Sequence, residues 1–512
     1  MVVTLYSAAL LGMDVIPVRI EVNILPSKES KIDILGLQGM DKTNVKKRVV
    51  SCLHELDIEL MQARYLVNLA PTDIKKHGAL FDLPITLAIL LSVNKIKPEM
   101  ATFIQESIIC GELSLFGSIK QVSGCLPIAL ALKKLSQKRI IVPSANYSEC
   151  AIIKSAKVIG VTHVRQFLSS QQMLSSTCTY KKITPQKQSL DINQVYGQHA
   201  AKRALEVAAA GRHHILFYGP PGSGKTMLAK RIPTLLPPMN DDEIIDTTAI
   251  YSAAGLLDQN SIITERPFRN PHHSITTVGL VGGGSVPCPG DVSLANSGVL
   301  FLDEFAELTK RKLEMLREVL EEQKVNLKRA DYATSFPANF ILVAAMNPCP
   351  CGFFGFPGKH CRCSLVLVRM YLSKISGPII DRIDMQVGLS PINFDEIKAS
   401  GNTQNIESSA TVAARVEKAV KLQRKRNPNG AYNATLKSHE IDECAMLTAE
   451  SQALMKKIFE KLKISMRSYH KIIKIARTIA DLDASETIEA GHINEAMMYR
   501  SFDKIVAQIE RR

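Results

Sequence analysis

The sequence predicts an α/β fold in which an α+β domain comes first, a domain with a parallel sheet follows, and a helical part comes last. Between His199 and Asn347, helical and strand patterns alternate, which is typical of a parallel sheet with crossover helices. After about residue 395, only helical spacing remains. The first part instead mixes alternating strands, such as VRIEVNIL from Val18, with short helical patterns.

The domain boundaries are placed where the composition changes. Residues 1–172 form the predicted N-terminal domain, and 173–190 form a polar linker without helical periodicity. Residues 191–395 form the predicted α/β core, and 396–512 form a helical lid. A chain of 512 residues is also longer than one hydrophobic core usually supports.

Composition limits where the protein acts and what it binds. The N-terminus lacks a basic region before its apolar residues, so no signal peptide is expected. The most apolar stretch, from Ala79, contains Asp82 and Pro84 and is too short for a bilayer span. We therefore expect a cytoplasmic protein without a membrane partner. The net charge of +14 favours a polyanionic partner such as nucleic acid.

The octapeptide GPPGSGKT matches a phosphate-binding P-loop, between an apolar strand and a helix predicted over GKTMLAKRIPTLL. Its members are Gly219, Pro220, Pro221, Gly222, Ser223, Gly224, Lys225 and Thr226. Glycines let backbone N–H groups turn toward phosphate oxygens at a helix N-terminus. Lys225 can neutralise the β and γ phosphates, and the Thr226 hydroxyl can ligate Mg²⁺. The predicted cofactors are ATP and Mg²⁺.

Two further strand ends carry polar residues suited to ATP hydrolysis. In GVLFLDEF, Asp303 is predicted to support Mg²⁺ and Glu304 to activate the attacking water. Asn347 ends the strand FILVAAMN and is predicted to hold that water from the other side. An asparagine that only caps the strand is the alternative for Asn347.

Residues 347–364 bring two C-x-C pairs into one glycine-rich loop. In a reducing compartment, such cysteines favour metal binding over disulfides. Four thiolates can surround one tetrahedral Zn²⁺, which would then be structural. The predicted zinc ligands are Cys349, Cys351, Cys361 and Cys363. The alternative is a reduced loop whose cysteines pack against neighbouring phenylalanines.

Basic residues near these motifs are the candidate DNA contacts. Lys328 and Arg329 lie at the turn of a predicted hairpin, and Lys359 and Arg362 lie among the loop cysteines. Each can contact phosphates, although solvated surface residues would look the same in a sequence. The HH pair at 272–273 is interpreted as a loop or DNA contact and not as a metal site.

The order of P-loop, Asp-Glu strand, Asn strand, DRID arginine and a later SMRS arginine resembles AAA+ ATPases. NPHHSIT, PGDVSLA, NPCPCG, CRC and ISGPIIDRID narrow the resemblance to the ComM (YifB) family of magnesium-chelatase-like ATPases. This resemblance implies an AAA+ core with an α-helical lid. It also implies that Arg382 is the arginine finger that reaches a neighbour's ATP, and that Arg467 is the lid sensor.

The same resemblance implies a homo-hexameric helicase that uses ATP for branch migration of DNA. The expected process is integration of transforming DNA by homologous recombination, with recombination proteins as further partners. A magnesium-chelatase-like remodelling motor that does not act on DNA is the main alternative.

The N-terminal part resembles the proteolytic domain of Lon, which raises ATP-dependent proteolysis as another hypothesis. Matching KKHGALFDLP and QVSGCLPIA to the Lon pattern puts Leu80 at the nucleophile position and Leu126 at the lysine position. Neither side chain can perform the chemistry. We therefore expect a domain that builds the ring or guides DNA and has no peptidase activity.

Overall fold

The protein is represented by a computed structural model. It describes residues 2–72, 76, 78–132, 134–135, 137, 139–168, 190–259, 261–329, 332–356, 360–391, 407–462, 464–500 and 502. Most of the predicted linker, the boundary between the predicted core and lid, and Lys359 lie outside these residues. Among the described helices, none combines the length and apolar character needed to cross a bilayer.

The N-terminal domain is built on a seven-stranded mixed sheet with the order β3-β4-β2-β1-β5-β8-β9. Its strands are β1 (Val3–Leu11), β2 (Asp14–Pro26), β3 (Lys31–Leu35), β4 (Ala63–Ala70), β5 (Ser107–Ile109), β8 (Arg139–Pro143) and β9 (Lys157–Val161). A separate small hairpin pairs β6 (Glu112–Leu113) with β7 (Ile119–Lys120). The helices are α1 (Gly39–Glu55), α2 (Asp82–Ser92), α3 (Pro98–Gln105), α4 (Cys125–Leu130) and α5 (Tyr147–Ala151).

Helix α2 explains the most apolar stretch of the sequence. Its residues from Asp82 to Leu91 are all buried, and it packs on β1 and β2. Asp82 is tolerated there because the Arg48 Nε donates a hydrogen bond of 2.5 Å to its carboxylate. The stretch is therefore a core helix of the N-terminal domain, as its length and its Asp82 predict.

The central domain holds a five-stranded, all-parallel sheet with the order β11-β14-β17-β10-β18. Its strands are β10 (Ile215–Tyr218), β11 (Phe268–Arg269), β14 (Val299–Leu302), β17 (Ile341–Met346) and β18 (Met385–Gly388). The short strands β12 (Gly282–Gly283) and β13 (Cys288–Pro289) form one hairpin, and β15 (Lys324–Arg329) and β16 (Tyr332–Pro337) form another. The parallel sheet expected from the alternating pattern is confirmed.

Helices cover this sheet and form the end of the chain. Those of the central domain are α6 (His199–Gly211), α7 (Lys225–Ala229), α8 (Asp241–Ala253), α9 (Thr277–Val281), α10 (Asp291–Leu294), α11 (Lys310–Glu322), α12 (Leu365–Leu372) and α13 (Gly377–Ile380). The lid helices are α14 (Ser409–Arg426), α15 (Ser438–Cys444), α16 (Ala449–Leu462), α17 (Met466–Leu482) and α18 (Ala490–Met498). Helices α14 and α17 both pack on α6, so lid and core share one hydrophobic interior.

The helix predicted over GKTMLAKRIPTLL is shorter than expected. Helix α7 ends at Ala229, and a 3-10 turn follows at Ile232–Thr234. Pro233 lies in that turn and has no N–H to donate to the carbonyl of Ala229. The proline therefore ends the regular helix one turn after the P-loop.

Hydrogen bonds between the described residues join the N-terminal domain to the central domain. The Thr334 hydroxyl lies 2.9 Å from both the Leu11 carbonyl oxygen and Asp14 Oδ2, and the Gly124 N–H donates to the Ser252 carbonyl at 2.9 Å. Gly12 has a φ of +67°, and a Cβ there would lie 2.4 Å from Thr334 Oγ1. The turn before β2 thus needs glycine to pack against the hairpin β15–β16.

Candidate functional site

The P-loop connects the carboxyl end of β10 to the start of α7. Gly222 and Gly224 have φ values of +77° and +89°, a region that side chains with a Cβ rarely adopt. The Lys225 ammonium donates hydrogen bonds of 2.8 Å to the Gly219 carbonyl and 2.9 Å to the Pro220 carbonyl. Burial lowers the pKa of Lys225. The loop therefore holds its cation against the backbone that would wrap a phosphate.

Thr226 and Asp303 come together at the carboxyl edge of the sheet. The Thr226 hydroxyl donates to Asp303 Oδ2 at 3.0 Å, although the two residues are far apart in sequence. A hydroxyl and a carboxylate side by side supply the hard oxygen ligands that Mg²⁺ prefers. These two residues fit the predicted magnesium site.

Asn347 also reaches this edge, because β17 ends next to β10. Its Oδ1 lies 3.3 Å from Lys225 Nζ, which donates to it. Asn347 therefore lies beside the lysine of the P-loop. The structure brings together Lys225, Thr226, Asp303 and Asn347, as the sequence predicts.

Glu304 has an unusual backbone for a residue with a side chain. Its φ is +49°, and its N–H donates to Asp303 Oδ1 at 2.9 Å. A left-handed conformation outside glycine costs energy, and such residues are frequent at active sites. The side chain is exposed beside Asp303, where a predicted water-activating group should lie.

Glu304 has a partner that sequence reasoning missed. His273 Nδ1 lies 2.7 Å from Glu304 Oε2, and the His273 carbonyl accepts a hydrogen bond of 3.1 Å from Lys312 Nζ. From the sequence, His272 and His273 are predicted only to form a loop or to contact DNA. Because the contact joins two separate segments through a loop, no local sequence signal could have revealed it.

Arg382 and Arg467 lie near the amino ends of the parallel strands, on the side of the sheet opposite the P-loop. Arg382 follows α13 and precedes β18, and Arg467 lies in the first turn of α17. Both line a cavity of about 240 Å³ together with His214, which directly precedes β10. The P-loop follows β10, so the length of that strand separates both arginines from the P-loop of their own chain.

The four cysteines of the loop converge on one point. Three of their Sγ–Sγ distances are 3.3, 3.5 and 3.7 Å, and all four Sγ atoms lie within 4.8 Å of one another. Four sulfurs around a zinc at about 2.3 Å would be about 3.8 Å apart. Burial raises the pKa of the Cys351 thiol, but hydrogen bonds from the Phe353 and Arg362 backbone outweigh this effect. The pKa of Cys351 falls to about 6, which favours the thiolate that a metal needs. The cluster fits a structural zinc site.

The cysteine loop packs directly on the P-loop. A Cβ at Gly352 would lie 2.6 Å from Pro221 Cδ, and the Phe356 ring packs edge-on against Tyr218 at 6.0 Å between centroids. Arg362 is exposed on this loop, as are Lys328 and Arg329 at the tip of the hairpin β15–β16. The cysteine loop therefore contacts the P-loop through Gly352 and exposes Arg362.

Replacing Cys361 and Cys363 by Ser should remove one zinc per chain, because two thiolates no longer complete the site. The loop supports Pro221, so affinity for ATP should fall about threefold to tenfold as well. Zinc is measured by elemental analysis of protein purified without chelator, and ATP binding by titration with a fluorescent nucleotide. The control is Cys288→Ser, which replaces an exposed cysteine outside the cluster.

Zinc-free wild-type protein, or unchanged zinc in the double variant, would contradict this prediction.

The two leucines at the Lon-like catalytic positions are both part of the N-terminal interior. Leu80 is 8% exposed and Leu126 is fully buried. Both positions therefore carry apolar packing groups.

Three family profiles match consecutive parts of the chain. The family profile described as magnesium chelatase, subunit ChlI, matches residues 191–397. Two related profiles match 20–146, described as subunit ChlI of Mg-chelatase, and 406–500, described as the ChlI C-terminal region. The three matches follow the order of the N-terminal, central and lid parts described above.

Curated relatives match the chain over nearly its whole length. Competence protein ComM of Haemophilus influenzae is 37% identical over 515 residues, covering 98% of each chain. YifB of Escherichia coli is 36% identical over 514 residues, covering 99% of this chain and 98% of that protein. Lon protease 2 of Bacillus subtilis is 29% identical over an alignment of 184 positions that covers 30% of this chain and 32% of that protein.

These matches confirm the fold class predicted from the sequence, an AAA+ P-loop core with an α-helical lid behind a Lon-protease-like α+β domain. They also confirm the resemblance on which the expected site rests. The chain belongs to the ComM and YifB family of magnesium-chelatase-like AAA+ ATPases.

Proposed function

We propose that the protein is a cytoplasmic, homo-hexameric DNA helicase that uses ATP to drive branch migration. Its process is integration of transforming DNA by homologous recombination, together with recombination proteins. The observation that carries the proposal is that the cysteine loop, which exposes Arg362, packs on Pro221 of the P-loop. A full-length relative named as a competence protein supports the biological setting.

Nucleotide binding is assigned to the P-loop. Backbone N–H groups of the loop and the Lys225 ammonium would hold the phosphates, and Thr226 and Asp303 would hold Mg²⁺. Bound Mg²⁺ would neutralise charge that develops on the phosphate oxygens. The oxygen of the attacking water bonds to the γ phosphorus as the bond to ADP breaks. Glu304 accepts the proton that this water loses. Asn347 orients that water from the opposite side.

The hexamer is supported by the position of the arginines. Arg382 and Arg467 line one cavity on the side of the sheet away from the P-loop of their own chain, and we therefore assign both to the ATP of a neighbouring subunit. Arg467 then acts on the neighbour as Arg382 does, although it belongs to the lid. A ring closes this head-to-tail contact without leaving a free edge.

DNA contacts are assigned to two exposed tips. Lys328 and Arg329 occupy the end of the hairpin β15–β16, which begins directly after α11. Arg362 projects from the cysteine loop, and Lys359 completes the set as a residue of the same loop outside the described part. Phosphate contacts by such residues depend on charge and are weakened by salt. The N-terminal domain contacts the hairpin through Thr334 and is assigned to ring building or DNA guidance.

The proposal is tested by ATP hydrolysis with and without four-way DNA. DNA should stimulate the wild-type rate, and the double substitution Lys328→Ala and Arg329→Ala should reduce stimulation while leaving the DNA-independent rate unchanged. The slope of the logarithm of DNA affinity against the logarithm of salt concentration should also become less steep. The change should correspond to the loss of about two phosphate contacts. The control is Lys324→Ala, which removes an exposed charge at the base of the same hairpin.

A rate indifferent to every DNA would instead support a magnesium-chelatase-like remodelling motor.

A further inference from the structure

One carboxylate contacts both Arg382 and Arg467, the two arginines of the same chain that are proposed to act on the ATP of a neighbouring subunit. Glu321 lies in the last turn of α11, and its Oε1 accepts from the Nη2 atoms of both Arg382 and Arg467. The distance to Arg467 is 2.7 Å. Two guanidinium groups that contact the same oxygen atom must lie close together.

Two positive groups this close repel each other unless an anion lies between them. The hydrogen bond from Arg382, with a smaller contribution from Arg467, lowers the pKa of Glu321. The Glu321 side chain is therefore ionised at neutral pH and offsets one of the two charges. The Glu321 side chain remains 47% exposed, so its carboxylate lies at the protein surface.

The cluster joins three elements that are distant in the chain. Glu321 belongs to a core helix, Arg382 follows α13, and Arg467 belongs to the lid helix α17. The Arg382 Nη1 also donates to the Pro378 carbonyl at 2.7 Å, and its side chain is only 6% exposed. Arg382 is thus fixed by the core, whereas Arg467, at 47% exposure, has Glu321 as its ionic link to the core.

We propose that Glu321 is a positioning residue for the arginines that act in trans. Its carboxylate holds the lid arginine beside the core arginine, so that the two guanidinium groups are presented together to the terminal phosphate of the neighbouring ATP. Preorganised cations act on charge that develops in the transition state, and misplacement by about 1 Å is costly. This inference rests on the proposed in-trans role of Arg382.

The test compares Glu321→Gln with Glu322→Gln. Both remove one carboxylate from the end of α11, but Glu322 contacts Asn326 and Lys324 instead of the arginines. Glu321→Gln should lower kcat for ATP hydrolysis about tenfold and change KM less than about twofold, because arginines acting on the transition state contribute little to ground-state binding. Glu322→Gln should resemble the wild type.

Two further measurements separate positioning from damage to the fold. Glu321→Asp keeps the charge and should recover part of the lost kcat. Subunits with Glu321→Gln should also regain turnover when mixed with Glu304→Gln subunits, because each mixed interface can combine an intact P-loop site with intact arginines. A normal or increased kcat in Glu321→Gln, a KM change as large as the kcat change, or failure of the Asp variant to recover activity would overturn the inference.

The Arg382→Ala variant distinguishes failure of this inference from failure of the proposed function. If Arg382→Ala is inactive and rescued by mixing while Glu321→Gln behaves like the wild type, only the positioning role is wrong. If Arg382→Ala itself retains normal turnover, the in-trans arginine is wrong and the role of Glu321 falls with it.

Discussion

Glu304→Gln should bind ATP with almost unchanged affinity and lose at least about a hundredfold of its hydrolysis rate. The amide preserves the shape of the side chain and can still accept a hydrogen bond, but it cannot take a proton from water.

Lys225→Ala should lose nucleotide binding itself, because the phosphates lose the positive charge of the ammonium group. In the structure this ammonium donates to the Gly219 and Pro220 carbonyls. Binding is followed with a fluorescent nucleotide and hydrolysis by phosphate release.

The matched control is Glu307→Gln, since Glu307 lies three residues later and pairs with Lys374 on the surface. Its rate should stay close to that of the wild type. Normal turnover in Glu304→Gln would remove the assignment of this residue, and a loss of ATP binding in the same variant would mean that Glu304 holds the nucleotide instead of activating water.

Arg382→Ala should also bind ATP and hydrolyse it about a hundredfold or more slowly, because the transition-state charge loses a cation. The defect should be repaired in part when Arg382→Ala subunits are mixed with Glu304→Gln subunits. The Arg382→Ala subunit supplies an intact Glu304, and the Glu304→Gln subunit supplies an intact Arg382. In an alternating ring, the two intact residues meet at half of the interfaces.

Mixing ratios are varied at constant total protein while phosphate release is recorded. A maximum at intermediate ratios is the expected result. If every ratio gives only the weighted mean of the two inactive proteins, Arg382 does not act across an interface.

The sequence predicts the nucleotide site well because its geometry is local. The backbone conformation of the P-loop follows from Gly222 and Gly224, and its position follows from the end of an apolar strand. Parallel strands bring their carboxyl ends to one edge, so Asp303 and Asn347 could be expected beside Lys225. These residues are the ones that the structure brings together.

Contacts that depend on packing between distant segments could not be read from the sequence. His273 reaches Glu304 only because the loop before α9 folds over the end of β14. Glu321 meets Arg467 because the lid packs on the core, across 146 positions of the chain. Neither pair shows a spacing or periodicity that would indicate it.

The cysteine loop falls between these cases. The two C-x-C pairs predict the cluster, since four thiols in one short loop can converge on a single metal ion. Their position against Pro221 depends on the close approach of Gly352, and that contact required the structure. Because of this contact, the cysteine variants are expected to bind ATP more weakly in addition to losing zinc.

We propose that ATP hydrolysis by a ring of these subunits moves DNA junctions. The most direct test of this claim is a four-way junction with homologous labelled arms, incubated with the wild-type protein, Mg²⁺ and ATP, and resolved into its products over time. We predict ATP-dependent conversion of the junction into two duplex products, and no conversion with Glu304→Gln. Junctions that stay intact while the wild-type protein hydrolyses ATP at its full DNA-stimulated rate would contradict the claim.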